Sequence, residues 1–187
     1  MNQPLEDPEN KEYFLMLPIK VQTTLFRKYY FPHFLEVFKD NFRIKNPQGQ
    51  NYTWKDVIYR DFMMQFLRDL DPWHVHSESI IFDELDDINE VIFIRKGIVE
   101  IGYEMNKKKK FVVRYEDKVT IGAFNCTFNM RIIFVYKAKT DCEGYTINKS
   151  NWIKLLNENK EIGDLIKKNV ELDYFMNIKS KVEKVKK

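Results

Sequence analysis

The stretch "SIIFDELDDINEVIFIRKGIVEIGYEM", residues 79–105, decides the fold. It contains three short runs of β-branched, aliphatic and aromatic residues, which are separated by the acidic turn 83–90 and by Gly97. Runs of the same kind continue to residue 148, namely "KFVVRY", "KVTIG", "IIFVYKA" and "EGYTIN". Short strands at close spacing with turn residues between them predict an antiparallel β-roll or sandwich.

Helical patterns lie on both sides of these strands. On the N-terminal side, apolar residues recur at helical spacing from Trp54 to Leu70 until Pro72 ends the pattern, and Pro32 predicts an earlier break. On the C-terminal side a stripe follows Trp152: Ile162, Leu165, Ile166, Val170, Leu172, Phe175 and Met176. The sequence therefore predicts an α+β fold, in which an antiparallel β-roll of the jelly-roll (double-stranded β-helix) kind is preceded by linker helices and followed by a C-terminal helix.

The same patterns predict how the chain is divided. Residues 1–12 form a polar, proline-containing segment that we expect to be a disordered leader. Residues 13–60 are expected to form a helical, linker-like segment. Residues 61–187 are expected to carry the β-roll and its C-terminal helix, the latter over residues 158–180.

Composition excludes several classes of function. A hydrophobic fraction of 44% with 15% aromatic residues indicates a packed globular protein. The net charge of +3, from 31 basic and 28 acidic residues, lacks the strong basic excess of nucleic-acid-binding proteins, so we expect no nucleic-acid partner. The lysine run 106–110 is expected to form the tip of a hairpin.

Cysteine and terminal patterns indicate a cytoplasmic protein. Cys126 and Cys142 are too far apart for a CxxC motif, which predicts reduced thiols. The polar N-terminus is unlike a signal peptide, and no stretch approaches the roughly 20 apolar residues of a membrane span. His74 and His76 lack a third metal ligand nearby, and no Ser/His/Asp or Cys/His set stands out, so neither a metal site nor an enzyme is expected.

One stretch has the pattern of a phosphate site. In "TIGAFNCTFNMRIIFVYKAKT", residues 120–140, Gly122 precedes a short turn and Arg131 precedes a strand. A glycine lets the backbone approach an anion, and an arginine pairs with it through charge-assisted hydrogen bonds. Position 123 is alanine, so the turn has no carboxylate beside its glycine.

The sequence resembles the cyclic nucleotide-binding domains. The stretch "FMMQFLRDLDPWHVHSESIIFDELDDINEVIFIRKGIVEIGY", residues 62–103, is similar to the family's helix, strand, acidic turn and glycine-closed strand. "LPIKVQTTL", residues 17–25, resembles the helical linker of cyclic nucleotide-gated and voltage-gated potassium channels, and residues 120–152 look most like the form in ciliate channels. The resemblance covers residues 13–180. It implies channel subunits or other copies of the chain as partners, and a place at the inner face of a membrane.

The resemblance also implies which residues bind ligand. In the family this segment is a phosphate-binding cassette for cAMP or cGMP, closed by the C-terminal helix, and no cofactor is obligatory. Gly122 matches the family's glycine, Ala123 stands where a glutamate holds the ribose, and Arg131 lies one residue from the arginine position. Four residues between them would complete the ligand-binding set: Phe124, Asn125, Cys126 and Thr127.

Two interpretations stay open at this point. In the first, the domain senses cAMP or cGMP, weakly because Ala123 cannot accept a hydrogen bond, and couples to a cation channel. In the second, it is a ligand-free homologue whose pocket is filled by Ile132, Ile133 or the C-terminal helix. In that case Gly122 serves only a turn and Arg131 is a solvated surface residue.

Overall fold

The computed structural model describes residues 8–116 and 118–186. The N-terminal part is helical: α1 (Pro8–Met16), α2 (Ile19–Leu25), a π-helical segment (Phe26–Tyr30), α3 (Phe31–Val37), α4 (Lys39–Phe42) and α5 (Val57–Asp69). The strands are β1 (Asp71–Val75), β2 (Ile80–Phe82), β3 (Glu90–Lys96), β4 (Ile98–Met105), β5 (Lys108–Glu116), β6 (Val119–Ile121), β7 (Val135–Ala138) and β8 (Cys142–Asn148), with α6 (Ala123–Phe128) between β6 and β7. The chain ends in α7 (Lys149–Glu158), α8 (Lys160–Asp173), a second π-helical segment (Tyr174–Lys179) and α9 (Ser180–Lys186).

The strands form two antiparallel sheets of four strands. One has the order β1-β8-β3-β6 and the other the order β2-β7-β4-β5. Helices precede and follow them, so the predicted α+β β-roll with a C-terminal helix is confirmed. At the tip of the β4–β5 hairpin, Asn106 and Lys107 both have positive φ angles, so the expected tip is at the start of the lysine run, whereas residues 108–110 belong to β5.

Strand β3 is buried on both of its faces. Val91, Ile92, Phe93 and Ile94 are consecutive, and none exposes more than 1% of its surface. Successive side chains of a strand point to opposite faces, so this run has protein on either side, where an edge or surface sheet would alternate with polar residues.

Phe93 is the point at which the helices meet the sheet. Its ring centroid lies between 5.4 and 6.4 Å from those of five aromatic side chains. These belong to helices from both ends of the chain or to the turn between α3 and α4: Phe34, Phe38, Phe42, Phe66 and Trp152. Offset and edge-to-face aromatic contacts each add about 0.5–1.5 kcal/mol beyond area burial, so this cluster holds α3, α4, α5 and α7 against β3.

The break expected at Pro32 is absent. Backbone angles stay helical from Ile19 to Val37, and the π-helical segment Phe26–Tyr30 ends two residues before the proline. Proline has no N–H and clashes with the preceding turn of an α-helix. A wider π turn at that place relieves the conflict, and the chain turns only at Phe38, whose φ is −112° and ψ 34°.

The element boundaries differ from those expected at both ends. Residues 1–7 of the predicted leader lie outside the described residues, and α1 begins at Pro8. Helix α5 crosses the predicted division between 13–60 and 61–187. Helical structure at the C-terminus begins at Lys149 instead of 158, with an interruption at Asn159.

The stripe expected on the C-terminal helix is correct only up to Val170. Beyond it, Leu172, Phe175 and Met176 are 53%, 40% and 66% exposed, whereas Tyr174 and Ile178 are buried. Tyr174 and Ile178 continue the four-residue spacing of Ile162, Ile166 and Val170, whereas Leu172, Phe175 and Met176 lie off that face. Within the described ranges, no helix has the length and apolar character needed to cross a membrane.

The first prediction concerns the aromatic cluster. Phe93→Ala should lower the free energy of unfolding by about 3–5 kcal/mol, because it removes a buried ring and leaves a cavity. Tyr29→Ala, at a position that is 62% exposed, is the control and should change it little. Urea denaturation followed by circular dichroism measures both. Equal losses for the two variants would contradict the central place given to Phe93.

Candidate functional site

The predicted site is the segment from Gly122 to Arg131, called the cassette below, between β6 and β7. Gly122 begins it in the left-handed region, with φ 80° and ψ −14°, and caps the N-terminus of α6. A Cβ at this position would lie 2.7 Å from the carbonyl oxygen of Glu90. Both the φ angle and the close approach require glycine, so a role in the turn is sufficient to explain it.

Ala123 is packed into the core. It is 6% exposed and belongs to the main hydrophobic cluster. A methyl group accepts no hydrogen bond, so the side chain at this position cannot bind a hydroxyl group of a ligand.

Three consecutive cassette residues form side-chain hydrogen bonds with other residues of the protein. The Asn125 side chain is buried, and its Nδ2 donates to the carbonyl oxygen of Arg131 at 2.9 Å. The Cys126 thiol donates to the carbonyl oxygen of Glu90 at 3.4 Å. Thr127 Oγ1 accepts a 2.8 Å hydrogen bond from Nε1 of the fully buried Trp152. These contacts fix the shape of the α6 turn and tie it to α7.

The Cys126 thiol is not poised for reaction. Burial raises its pKa to about 12, and nearby Lys149 opposes this only in part. The reactive form of cysteine is the thiolate, so this side chain stays protonated and acts as a small buried donor.

Arg131 turns away from the core. Its side chain is 64% exposed, and its Nε lies 3.1 Å from Oδ1 of Asp87 in the acidic turn. The next residue, Ile132, is 1% exposed and takes the inward position, while Ile133 is 46% exposed. The end of the cassette therefore has its arginine outside the fold, and the aliphatic side chain of Ile132, the next residue, lies inside.

Phe124 carries the contact between the cassette and the C-terminal helices. Its ring stacks on that of Tyr174, with centroids 4.0 Å apart and planes 3° from parallel. Phe175 meets the same ring edge-on at 5.5 Å. Helix α8 and the following π-helical segment, residues 160–179, are called the lid below, and they are closed on the cassette through this stack.

A second contact holds the lid on the β-roll. The Tyr115 hydroxyl, on β5, donates to the carbonyl oxygen of Asn177. Burial raises the pKa of Tyr174 to about 12 and that of the fully buried Tyr136 well above its ordinary value, which marks the region as poorly solvated.

Four cavities lie away from the cassette. Within residues 8–116 and 118–186, the side chains that line these four come from outside 122–131. The same part of the chain contains no group of three or more His, Cys, Asp or Glu side chains able to hold a metal ion.

The seven predicted site residues thus adjoin one another in one turn, and each packs against or bonds to the protein itself. Their role toward a nucleotide stays a prediction. Tyr174 and Asp87 were not among them. The aromatic pair at 174–175 was a signal for the first, and the acidic run 83–90 for the second, but neither shows in sequence which cassette residue it faces.

Comparison with known proteins identifies the fold. No protein-family model matches the sequence, and neither does any curated protein. Among solved structures, a cyclic nucleotide-binding domain from Methylobacillus flagellatus KT matches with a TM-score of 0.64 at 12% identity, over 87% of this chain and 93% of that one.

Two further structures match less closely. The c-di-GMP responsive global regulator CLP of Xanthomonas campestris has a TM-score of 0.55 at 12% identity, over 68% of this chain and 63% of its own. The regulatory domain of Toxoplasma gondii PKA, solved with cAMP, has a TM-score of 0.50 at 8% identity, over 66% and 44% of the two chains.

The second prediction distinguishes the two reasons why position 122 requires glycine, namely its positive φ angle and the close approach of the Glu90 carbonyl. Gly122→Ala and Gly49→Ala both place a side chain at positive φ, which costs about 1–2 kcal/mol. A Cβ at Gly49 meets nothing within 4 Å, whereas one at Gly122 meets the Glu90 carbonyl. We expect Gly122→Ala to lose about 1–3 kcal/mol more than Gly49→Ala in urea denaturation, as in other overpacked sites. Equal losses would mean that the backbone of β3 does not press on the cassette.

Taken together, the arrangement of the two sheets, the cassette turn and the closing C-terminal helices gives this chain the fold of the cyclic nucleotide-binding domains.

Proposed function

We propose that this chain is a regulatory and assembly module of the cyclic nucleotide-binding fold whose ligand site is closed by its own side chains. The observation that carries the proposal is the Phe124–Tyr174 stack, which joins cassette and lid through aromatic rings of the protein itself. The module would hold its C-terminal helices in one fixed position for an effector to read. Its role would be regulatory and not enzymatic.

The chemistry of the cassette supports this role. Ala123 lacks the acceptor that a ribose hydroxyl would need, and Arg131 is paired outside with Asp87. Each missing charged hydrogen bond costs about 1.5–3 kcal/mol, or roughly 10- to 150-fold in affinity. The inward position next to Arg131 is filled by Ile132, which is one of the side chains expected to occupy the site.

Sensing of cAMP or cGMP is the second candidate, and the geometry of Gly122 favours it. The left-handed glycine at the start of α6 is the part of an anion site that this chain keeps. An exposed ion pair such as Arg131–Asp87 is worth only about 0.2–1 kcal/mol, and a ring stack about 0.5–1.5 kcal/mol beyond burial. A nucleotide that released both would therefore face a moderate cost, whereas the missing acceptor at Ala123 has no replacement.

The effector is proposed from the sequence resemblance. "LPIKVQTTL", residues 17–25, resembles the linker of cyclic nucleotide-gated and voltage-gated potassium channels, which favours a cation channel, with channel subunits or other copies of this chain as partners. Support comes from α2, which is helical and leaves Ile19 and Val21 68% and 42% exposed. The module would then lie in the cytoplasm at the inner face of a membrane.

The third prediction distinguishes the two candidates. Calorimetric titration of the whole chain with cAMP and with cGMP should give no heat at millimolar nucleotide, because the lid and Ile132 occupy the site. Ala123→Glu, checked for folding by circular dichroism, should not create binding. Saturable heat with the natural chain, or affinity at least about tenfold tighter in Ala123→Glu, would establish sensing and contradict the closed module.

A further inference from the structure

A polar cavity lies beside the lid, away from the cassette. It has a volume of about 240 Å³ and opens between α4, strands β5 and β6, and residues 173–181. Its lining includes Asn41, Tyr115, Thr120, Asp173 and Asn177, none of which belongs to the cassette. The volume is below the roughly 300–1,000 Å³ of pockets that hold drug-sized ligands, so it suits a smaller molecule.

Asn41 contributes a buried polar group that is left unsatisfied. The residue is 4% exposed, and its Nδ2 donates to Thr120 Oγ1 at 2.8 Å. Its Oδ1 has no hydrogen-bond partner within the described residues. Buried polar atoms are almost always paired, so an orphan beside a cavity indicates that something else supplies the donor.

Asp173 contributes a partly buried carboxylate whose negative charge has few compensating partners. It accepts a 2.6 Å hydrogen bond from Asn177 Nδ2, and the part of the chain described shows no salt bridge to it. Its pKa is raised, first by burial and further by the negative charge of Asp40, which also lines the cavity. Asn177 and Lys181 oppose that shift. A cationic group that donates hydrogen bonds would offset both the cost of burying this negative charge and its repulsion by Asp40.

The rim of the cavity has the opposite charge. Lys118 and Lys181 line it and are both exposed, and Nζ of Lys181 lies 5.1 Å from the centroid of the Tyr115 ring. The cavity is therefore rich in acceptors inside and positively charged at its mouth.

We propose that this cavity binds a small zwitterion, with an ammonium or guanidinium group directed toward Asp173 and Asn41 and an anionic group between Lys118 and Lys181. Asn41 lies on α4, Asp173 on the lid, Lys118 between β5 and β6, and Lys181 on α9. An occupant would fix the lid against the N-terminal helices without entering the cassette.

The test uses 4-guanidinobutyrate, which carries both charges, as the probe. Titration of the isotope-labelled whole chain, followed by amide NMR, should shift the signals of Asn41, Thr120, Asp173 and Asn177 in a saturable way at millimolar probe. Agmatine lacks the anion and hexanoate lacks the cation, so both should bind at least about tenfold more weakly. Shifts confined to residues 122–131, or no saturable shifts, would overturn the proposal.

Paired variants identify the contacts. Asp173→Asn should weaken binding of 4-guanidinobutyrate at least about tenfold, whereas Glu171→Gln, an exposed acid on the same helix, should leave it unchanged. Lys181→Gln should weaken 4-guanidinobutyrate but not agmatine, and Lys184→Gln is its control. If either variant matches its control, the site is not built as proposed. The lysine pair still tests the site if Asp173→Asn fails to fold.

Discussion

The burial of Phe93 between the β-roll and the helices is the constraint on which the rest of the molecule depends. Four aromatic side chains from the region of α3, α4 and α5, and Trp152 from α7, surround its ring. Segments from the two ends of the chain are thereby packed on the same strand. A β-roll with only its own sheets to pack would leave one face of β3 in water, and the residues of β3 are too apolar for that.

This packing also determines the state of the cassette. Trp152 is buried in the Phe93 cluster and donates to Thr127, so α6 is tied to the core. Strand β3 contributes the Glu90 carbonyl, which lies against Gly122 and accepts from the Cys126 thiol. The lid then packs on a turn that is already fixed, through the ring of Phe124. A fixed cassette with a closed lid favours a constant structural signal over one that depends on a ligand.

The sequence was sufficient for the architecture and for a turn between two strands at residues 122–131, because strand periodicity and turn residues are local signals. The sequence was insufficient where a shift of one residue decides which side chain is buried. On the lid, Tyr174 follows Val170 by four residues and takes the buried face, which leaves Phe175 and Met176 off it. At Arg131 and Ile132, the residue that points inward depends on how the chain leaves Asn129, whose φ is 53°. Partners distant in sequence, such as Asp87 for Arg131, follow only from the assembled fold.

Detecting the ring contact between Phe124 and Tyr174 in solution is the most direct test of whether the lid closes without nucleotide. Nuclear Overhauser effects between the protons of the two rings can be measured in the nucleotide-free protein with selectively labelled aromatic residues. With centroids 4.0 Å apart, strong cross-peaks are expected, and they should be unchanged when cAMP is added. Cross-peaks that are absent in the free protein and appear only with cAMP would contradict a self-closed site and would make the lid a nucleotide-driven switch.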